Sequence, residues 1–491
     1  MQKRGENTAN SLKRCFGIRE TITINVGTVI GVGLFTLGAN VVGLLGPWVF
    51  LATLLALGIS VYPSLLYAEM GGALPYAGGT YQYASLGLGR PFGVLAGWNF
   101  IISMVSVASG EALAFAFYLR TLFGALGLPL PLGDRGVACL ALAGFLLLAL
   151  RGVEWSGRLQ NGFLFFFWGV ALVWVCSMAP KLRFSYFSGG PGVTPGGFLP
   201  CVALVWWCFA GFETCCAMGE EIKFPQINLP RALFLAPFLV FAVNGLFQWV
   251  LVCIMPPGGL AALADAAAPY ARGMELAGVA GFPLVLLCLG IAFGGDFSTL
   301  NASVSAPARY LFTMARDGVL PAAFARIHPK YRTPYLSILA LGGLMLLLVG
   351  TGSITYIASL SLFATLFYYV IGMAAALGLR RRRPDLPRPY RAPGIRFGAP
   401  LSIAIYLLMM TQLAPAGAAA GAAWCALGLI VCRLARRSAA PVRPVPPPPP
   451  PPSPEERAGM DREYRRWRLA VGAAVAVVLA LYAAAFLLSR G

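Results

Sequence analysis

The sequence predicts an all-α polytopic membrane protein, and three observations carry that expectation. Of the 491 residues, 58% are hydrophobic and 11% charged, against roughly 25% charged in soluble domains. Apolar stretches of about 20 residues, the length that crosses a bilayer, recur along the chain. Lysines and arginines gather on alternate connecting segments, the bias that orients membrane helices. That bias accounts for most of the formal net charge of +19, so no nucleic-acid partner is needed to explain it.

In chain order, candidate spans lie near 21–42, 48–69, 93–119, 137–150, 160–179, 198–218, 232–255, 281–305, 335–350, 354–379, 397–413, 416–434 and 469–489, about thirteen in total. Residues 1–20 form a polar, basic tail with no evident cleavable signal peptide. Between the second and third spans, Pro75-Tyr76-Ala77-Gly78-Gly79-Thr80-Tyr81 mixes turn-formers with aromatics and reads as a re-entrant or interfacial segment. The main domain is expected over 21–434, then a proline-rich basic linker over 435–468, then an extra helix over 469–491. Pro441 to Pro454 is nearly all proline and reads as a stiff polyproline-II spacer. The basic stretch Arg457 to Arg468 reads as an interfacial lipid anchor. With a cytoplasmic N-terminus in the plasma membrane, the outer segments hold Arg120, Arg135, Lys181, Arg183, Arg272 and Arg490, six of 37 basic residues.

Two spans are interrupted. The first contains Gly27-Thr28-Val29-Ile30-Gly31-Val32-Gly33-Leu34-Phe35. Glycine tolerates unwound backbone, and unwound backbone at membrane depth survives where it is buried in protein or lines a cavity. The competing reading is a small-residue packing face. The sixth span reads Trp207-Cys208-Phe209-Ala210-Gly211-Phe212-Glu213, with an acid at membrane depth. Paired Gly-interrupted segments in two halves of a chain point to a transporter site. The pair lies five spans apart, an odd number, so the implied halves, about 21–180 and 198–380, would have opposite membrane orientation. Two further deep acids, Asp296 and Glu111, are functional candidates by their position.

The eleven cysteines show no metal-ligand spacing, and the one histidine, His328, lies in a basic loop. A zinc site or histidine-based triad is excluded. No phosphate loop or nucleophile elbow occurs either, so neither an enzyme nor a cofactor is expected.

Several motifs in order carry a resemblance to the amino acid–polyamine–organocation superfamily, with its leucine-transporter type of five-plus-five inverted repeat. The first-span glycine stretch resembles the first-helix signature. Tyr67-Ala68-Glu69-Met70, Leu74-Pro75-Tyr76-Ala77-Gly78-Gly79-Thr80-Tyr81 and Trp98 resemble the region from the second helix to the third. Phe209-Ala210-Gly211-Phe212-Glu213, Glu220-Glu221-Ile222-Lys223-Phe224-Pro225 and Pro230-Arg231-Ala232 resemble the sixth helix and its exit. Ala308-Arg309-Tyr310, Ala315-Arg316-Asp317-Gly318-Val319-Leu320-Pro321 and Pro387-Arg388-Pro389-Tyr390-Arg391-Ala392-Pro393-Gly394 resemble later loop motifs. The similarity covers about 20–434.

The resemblance implies a secondary transporter working by alternating access, with an amino acid held between the two breaks. Its carboxylate would meet amides near Gly31, Val32 and Gly33, with Thr28 nearby, as helix N-termini favour anions. Its ammonium would meet carbonyls near Ile30, Phe209 and Ala210, and Trp207 matches a gating aromatic. Ser103, Gly211, Ser303 and Ser359 are the pocket candidates. Many relatives place a coupling lysine on the fifth helix; here Phe167 stands there, leaving Asp296, Glu213 or Glu111 to handle a proton, or Asp296 a sodium ion. Asp296 and Glu213 have a competing structural reading as capped carboxyls, and Glu111 as an acid of the outer vestibule or one hydrogen-bonded between helices. Glu111 is expected outward of the pocket centre, which favours neutral over cationic amino acids or polyamines. A sensor without transport on the same fold is the remaining class. The loop from Leu122 to Val137 lacks the cysteine that would link a single-span partner, so no disulfide-linked heavy chain is expected. Removal of about 441–491 is expected to leave uptake largely intact.

Overall fold

A computed structural model describes residues 14–188, 192–435 and 451–489. The polar tail up to residue 13 and most of the polyproline spacer lie outside them. Helices α1 (Ile18–Gly27) and α2 (Ala39–Leu45) flank the first break, and a π-helical segment, Gly33–Gly38, leads into α2. There follow α3 (Val49–Ala73), α4 (Gly79–Gly87), α5 (Arg90–Ala125), α6 (Asp134–Arg151) and α7 (Val153–Met178). The second break separates α8 (Pro195–Trp207) from α9 (Thr214–Ala217). Then come α10 (Pro225–Ile254), α11 (Pro269–Leu276), α12 (Phe282–Gly290), a π-helical Ile291–Asp296, and α13 (Phe297–Arg316). The chain ends with α14 (Tyr335–Thr351), α15 (Ile354–Arg382), α16 (Ile395–Met410), α17 (Pro415–Ala435) and α18 (Pro454–Leu488).

Among the described residues there is no strand element, only two isolated bridges, and 8 helical stretches are long and apolar enough to cross a membrane. Three shorter apolar helices, α8, α14 and α16, accompany them. Backbone groups in hydrocarbon must be satisfied within the segment, which leaves helices as the available form for an open chain. The longest helix of the core, α5, has a hydrophobic window that is 94% buried, whereas the window of α17 is 22% buried. The core thus gathers around α5, which packs against α13 and α15. The segment after α3 forms the short helix α4, and its Gly78 enters at φ 95°.

Helix α18 begins at Pro454, well before the apolar run expected from residue 469. Ser453 explains the early start: its hydroxyl accepts from Glu456 N, while the Glu456 carboxylate accepts from Ser453 N, a reciprocal cap. The basic stretch after it is therefore helical, and Arg231 pairs with its Asp461. The helix is anchored along α10. The Tyr482 hydroxyl donates to Gly245 O at 3.1 Å and Trp249 Nε1 to Leu481 O at 3.1 Å, while the Tyr482 ring stacks on Phe50 at 3.8 Å. Tyr482→Ala is expected to destabilise by about 3 kcal/mol, as for other buried aromatics. Removing 441–491 is expected to lower the unfolding temperature in detergent while uptake per folded molecule persists. Uptake normalised to folded protein checks both parts.

Candidate functional site

The first break forms because its glycines leave no room for side chains. A Cβ on Gly31 would lie 2.2 Å and 2.5 Å from the Glu111 carboxylate oxygens and 2.5 Å from Thr299 Oγ1. On Gly27 it would meet Gln160 Nε2 at 2.0 Å and Ser298 Oγ at 2.2 Å. The freed groups are taken up by side chains from other helices, as buried polar groups require. Thr299 Oγ1 lies 2.7 Å from Gly27 O and 3.1 Å from Ile30 O. Val32 N donates to Glu111 Oε1 at 2.7 Å. The small-residue packing and the broken helix are thus one feature: close approach by α5 and α13 supplies the partners that the unwound turn lacks.

At the second break, Gly211 sits at φ 104°, a conformation glycine adopts without a Cβ penalty. The two breaks touch. Cys208 Sγ donates to Gly33 O at 3.0 Å, and Cys215 N donates to Asn25 Oδ1 at 2.9 Å. Gly211 N donates to the Tyr369 hydroxyl at 3.2 Å.

Between the breaks, α5 and α15, a cavity is lined by Thr28, Val29, Val32, Gly33, Ser103, Met104, Val107, Glu111, Trp207, Ala210 and Thr365. Its free room is about 20 Å³, roughly one water. An amino acid therefore enters only if the breaks part. Of the sequence candidates, Thr28, Val32, Gly33, Ser103, Trp207, Ala210 and Glu111 reach this wall. Ile30 turns its carbonyl to Thr299, Gly31 packs under Glu111 and Thr299, and Phe209 and Gly211 stand behind the lining.

Two serines expected in the pocket are elsewhere. The Ser303 hydroxyl donates to Thr299 O of its own helix at 2.7 Å. The Ser359 hydroxyl donates to Thr355 O at 2.8 Å, and its backbone packs on Gly417. Helical geometry explains the second correction: residues two apart lie about 200° round an α-helix, so Ser361, not Ser359, faces inward. Its hydroxyl lies 3.2 Å from that of Ser103 and 3.3 Å from Trp207 Nε1, and Thr365, one turn on, lies 2.6 Å from the Ser103 hydroxyl. Thr365 was missed, although the Ser361–Thr365 spacing of one turn was in the sequence. Met104 and Val107 were missed because apolar lining residues look like any other residue of a spanning helix.

The acids differ in their surroundings. Both Glu213 oxygens accept phenol hydrogens, one from Tyr368 at 2.5 Å and one from Tyr369. This capped carboxylate ties the second break to α15. Glu111, expected outward of the pocket, is on the cavity wall. Asp296 is fully buried at the end of the π-helical turn, where Gly294 and Gly295 let the backbone lie against Phe167 and Phe35. The Glu111 and Asp296 carboxyls face each other. Among the described residues, neither Asp296 oxygen nor Glu111 Oε2 has a hydrogen-bond partner. Phe167 is part of an aromatic cluster, 5.5 Å from Phe35 and 5.7 Å from Phe247.

The charged motifs around the helix ends hold the helices to one another. Glu69 accepts from Arg380 at 2.8 Å and from Ala392 N at 2.8 Å, and Arg388 lies 3.2 Å away. Glu220 pairs with Arg316 at 3.0 Å and Glu221 with Arg309 at 3.0 Å. Asp317 accepts from Gln82 at 3.0 Å and from the Tyr81 hydroxyl at 3.1 Å.

A helical membrane protein with two facing helix breaks around a small, partly polar cavity has the build of a solute carrier. The sequence profile of the amino acid permease family matches residues 16–433, and the chain belongs to that family. It is similar to a branched-chain amino acid permease of Bacillus subtilis (strain 168), 24% identical over 86% of this chain and 92% of that protein. It is also similar to a methylthioribose transporter of the same organism, 25% identical over 87% of this chain and 94% of that protein. A third relative, cationic amino acid transporter 4 of Mus musculus, is 28% identical over 77% of this chain and 61% of its own length. The protein is thus an integral membrane transporter of the amino acid permease class, with a small-molecule amino acid as the substrate implied by its family.

Proposed function

We propose that the chain carries neutral amino acids by alternating access between the two breaks, as a proton-coupled symporter or an exchanger. The observation that carries this reading is the cavity wall: apolar Val29, Val32, Met104, Val107 and Trp207 beside the hydroxyls of Thr28, Ser103 and Thr365. Such a wall suits an aliphatic side chain, and the branched-chain relative fits it. The alternative, a cationic substrate, would use Glu111, but that carboxylate is already engaged by Val32 N. Among the acids, Asp296 with Glu111 is the favoured coupling site, since Glu213 is capped by two phenols. Thr28, Val32, Gly33 and Ala210 are the break residues placed to meet substrate, with Trp207 as gate. The five-plus-five inverted repeat and a cytoplasmic N-terminus in the plasma membrane complete the proposal, the latter resting on the lysine and arginine distribution.

The test is counterflow in proteoliposomes preloaded with unlabelled leucine, arginine or methylthioribose, using the matching radiolabelled compound outside. Leucine exchange without arginine exchange is the expected result. Exchange of arginine alone favours the cationic reading. Absence of exchange for every amino acid, by protein shown to be folded, would falsify the transport of amino acids and bring the sensor class forward. Imposed sodium and proton gradients then separate coupled uptake from obligatory exchange.

A further inference from the structure

The first break has an occupant of its own. Val32 N, one of the amides expected to hold the substrate carboxylate, donates at 2.7 Å to Glu111 Oε1. A carboxylate of the protein therefore occupies the position the substrate carboxylate needs. Behind it, Glu111 Oε2 and both Asp296 oxygens are buried without a hydrogen-bond partner among the described residues, and two neighbouring carboxyls share a hydrogen bond only when one of them carries a proton.

We propose that Glu111 is an internal stand-in for the substrate carboxylate, and that substrate displaces it together with the uptake of one proton by the Glu111–Asp296 pair. This rests on the amino acid transport reading and specifies how that site is coupled. Before binding, Glu111 is a carboxylate on Val32 N, and the proton lies on Asp296. The incoming amino acid is a zwitterion. Its carboxylate takes the Val32 N–H, so one hydrogen bond breaks and an equivalent one forms. Glu111 has then lost its Val32 donor and lies beside a second anion, the substrate carboxylate. A proton from the aqueous side bonds to Glu111 and neutralises it. The loaded carrier holds one amino acid and one additional proton, and both leave on the other side when Glu111 returns to Val32.

The surroundings leave this task to the pair itself. From the first break, the Val32 amide donates to Glu111, and α13 supplies the Thr299 hydroxyl beside Gly31. On α7 the neighbour is Phe167, packed on Gly294. On α5 the other titratable group near Asp296 is Tyr118, whose hydroxyl donates to Phe35 O at 2.8 Å. Among the described residues, no arginine, lysine or histidine interacts with either carboxyl. Glu111 also lines the cavity, so substrate and proton enter by one route.

The experiment measures protons taken up when the purified full-length chain binds leucine, using a pH-indicator dye in weakly buffered detergent solution. If counterflow shows another amino acid to be exchanged better, that one replaces leucine. Wild type is expected to take up about one proton per leucine bound, and isoamylamine, which lacks the carboxylate, none. Glu111→Gln is expected to lose the proton uptake and the pH dependence of leucine affinity. Asp296→Asn is expected to shift the pH at which affinity changes. Wild-type binding without proton uptake, or uptake that persists in Glu111→Gln, overturns the proposal. So does an Asp296→Asn profile superposable on wild type. The wild-type measurement decides the matter even if a variant does not fold. Exchange in liposomes with proton-free binding removes this inference alone; failure of exchange for every amino acid removes the transport reading beneath it.

Discussion

Replacing Gly31 by alanine is expected to reduce amino acid counterflow by on the order of 100-fold, the scale on which displacements of about 1 Å act in preorganised sites. The added methyl group would lie 2.2 Å from one Glu111 oxygen and 2.5 Å from Thr299 Oγ1. Neither neighbour yields easily. Glu111 is held by Val32 N, and Thr299 is held between the Gly27 and Ile30 carbonyls. The methyl therefore pushes α5 or α13 off the break, where substrate is proposed to sit. Gly110→Ala is the control, because its Cβ would meet Ile357 and Val32 at 3.7 Å, an ordinary contact. Equal loss in both variants would show that general packing of α5, and not the break, limits transport.

Replacing Arg309 by methionine is expected to destabilise the protein by about 3–5 kcal/mol, the range for removing one partner of a buried ion pair. Arg309 and Glu221 are 3% and 0% exposed. The guanidinium also donates to Ser305 O at 2.7 Å. The Glu221 carbonyl in turn accepts from Cys15 N at 2.9 Å and Phe16 N at 3.0 Å. One pair thus joins α13, the turn after the second break and the chain entering α1. Burial pushes the Glu221 carboxyl above its usual range, and Arg309 opposes that shift. With the arginine gone the folded state holds a proton on Glu221 more readily than the unfolded chain does. The destabilisation should accordingly grow as pH rises, where that proton is lost. Thermal unfolding in detergent across a pH series checks the trend, and Glu221→Gln in the same chain should recover much of the loss. The exposed pair Arg272–Glu275, 49% and 48% open to solvent, should shift the unfolding temperature little when either partner is replaced, as is usual for surface pairs.

How much of this was legible beforehand depended on the kind of signal. Helices follow from apolar length alone, because a backbone in hydrocarbon must satisfy its own hydrogen bonds. Both breaks were legible for the same reason in reverse: Gly27, Gly31, Gly33 and Gly211 sit in runs where glycine is otherwise unfavourable. The start of α18 was not, since the apolar pattern begins at Leu469 whereas the helix is set by the Ser453–Glu456 cap.

Within the site, the sequence by itself determined which turns unwind, which acids lie at membrane depth and which family the motifs resemble. Tertiary structure alone decided where the freed groups and acids point. Side chains on an unwound turn have no fixed period, and a pairing such as Val32 with Glu111, or Glu111 with Asp296, joins residues far apart in the chain. Their contact depends on how closely α5, α13 and the first break approach, and that distance is set by the missing Cβ atoms of glycines on one helix meeting side chains of another. Ser359 and Ser361 show the same limit at its smallest scale: two residues of separation place one serine against α17 and the other against Ser103. Only the packing of α15 shows which of the two faces Ser103 and Trp207.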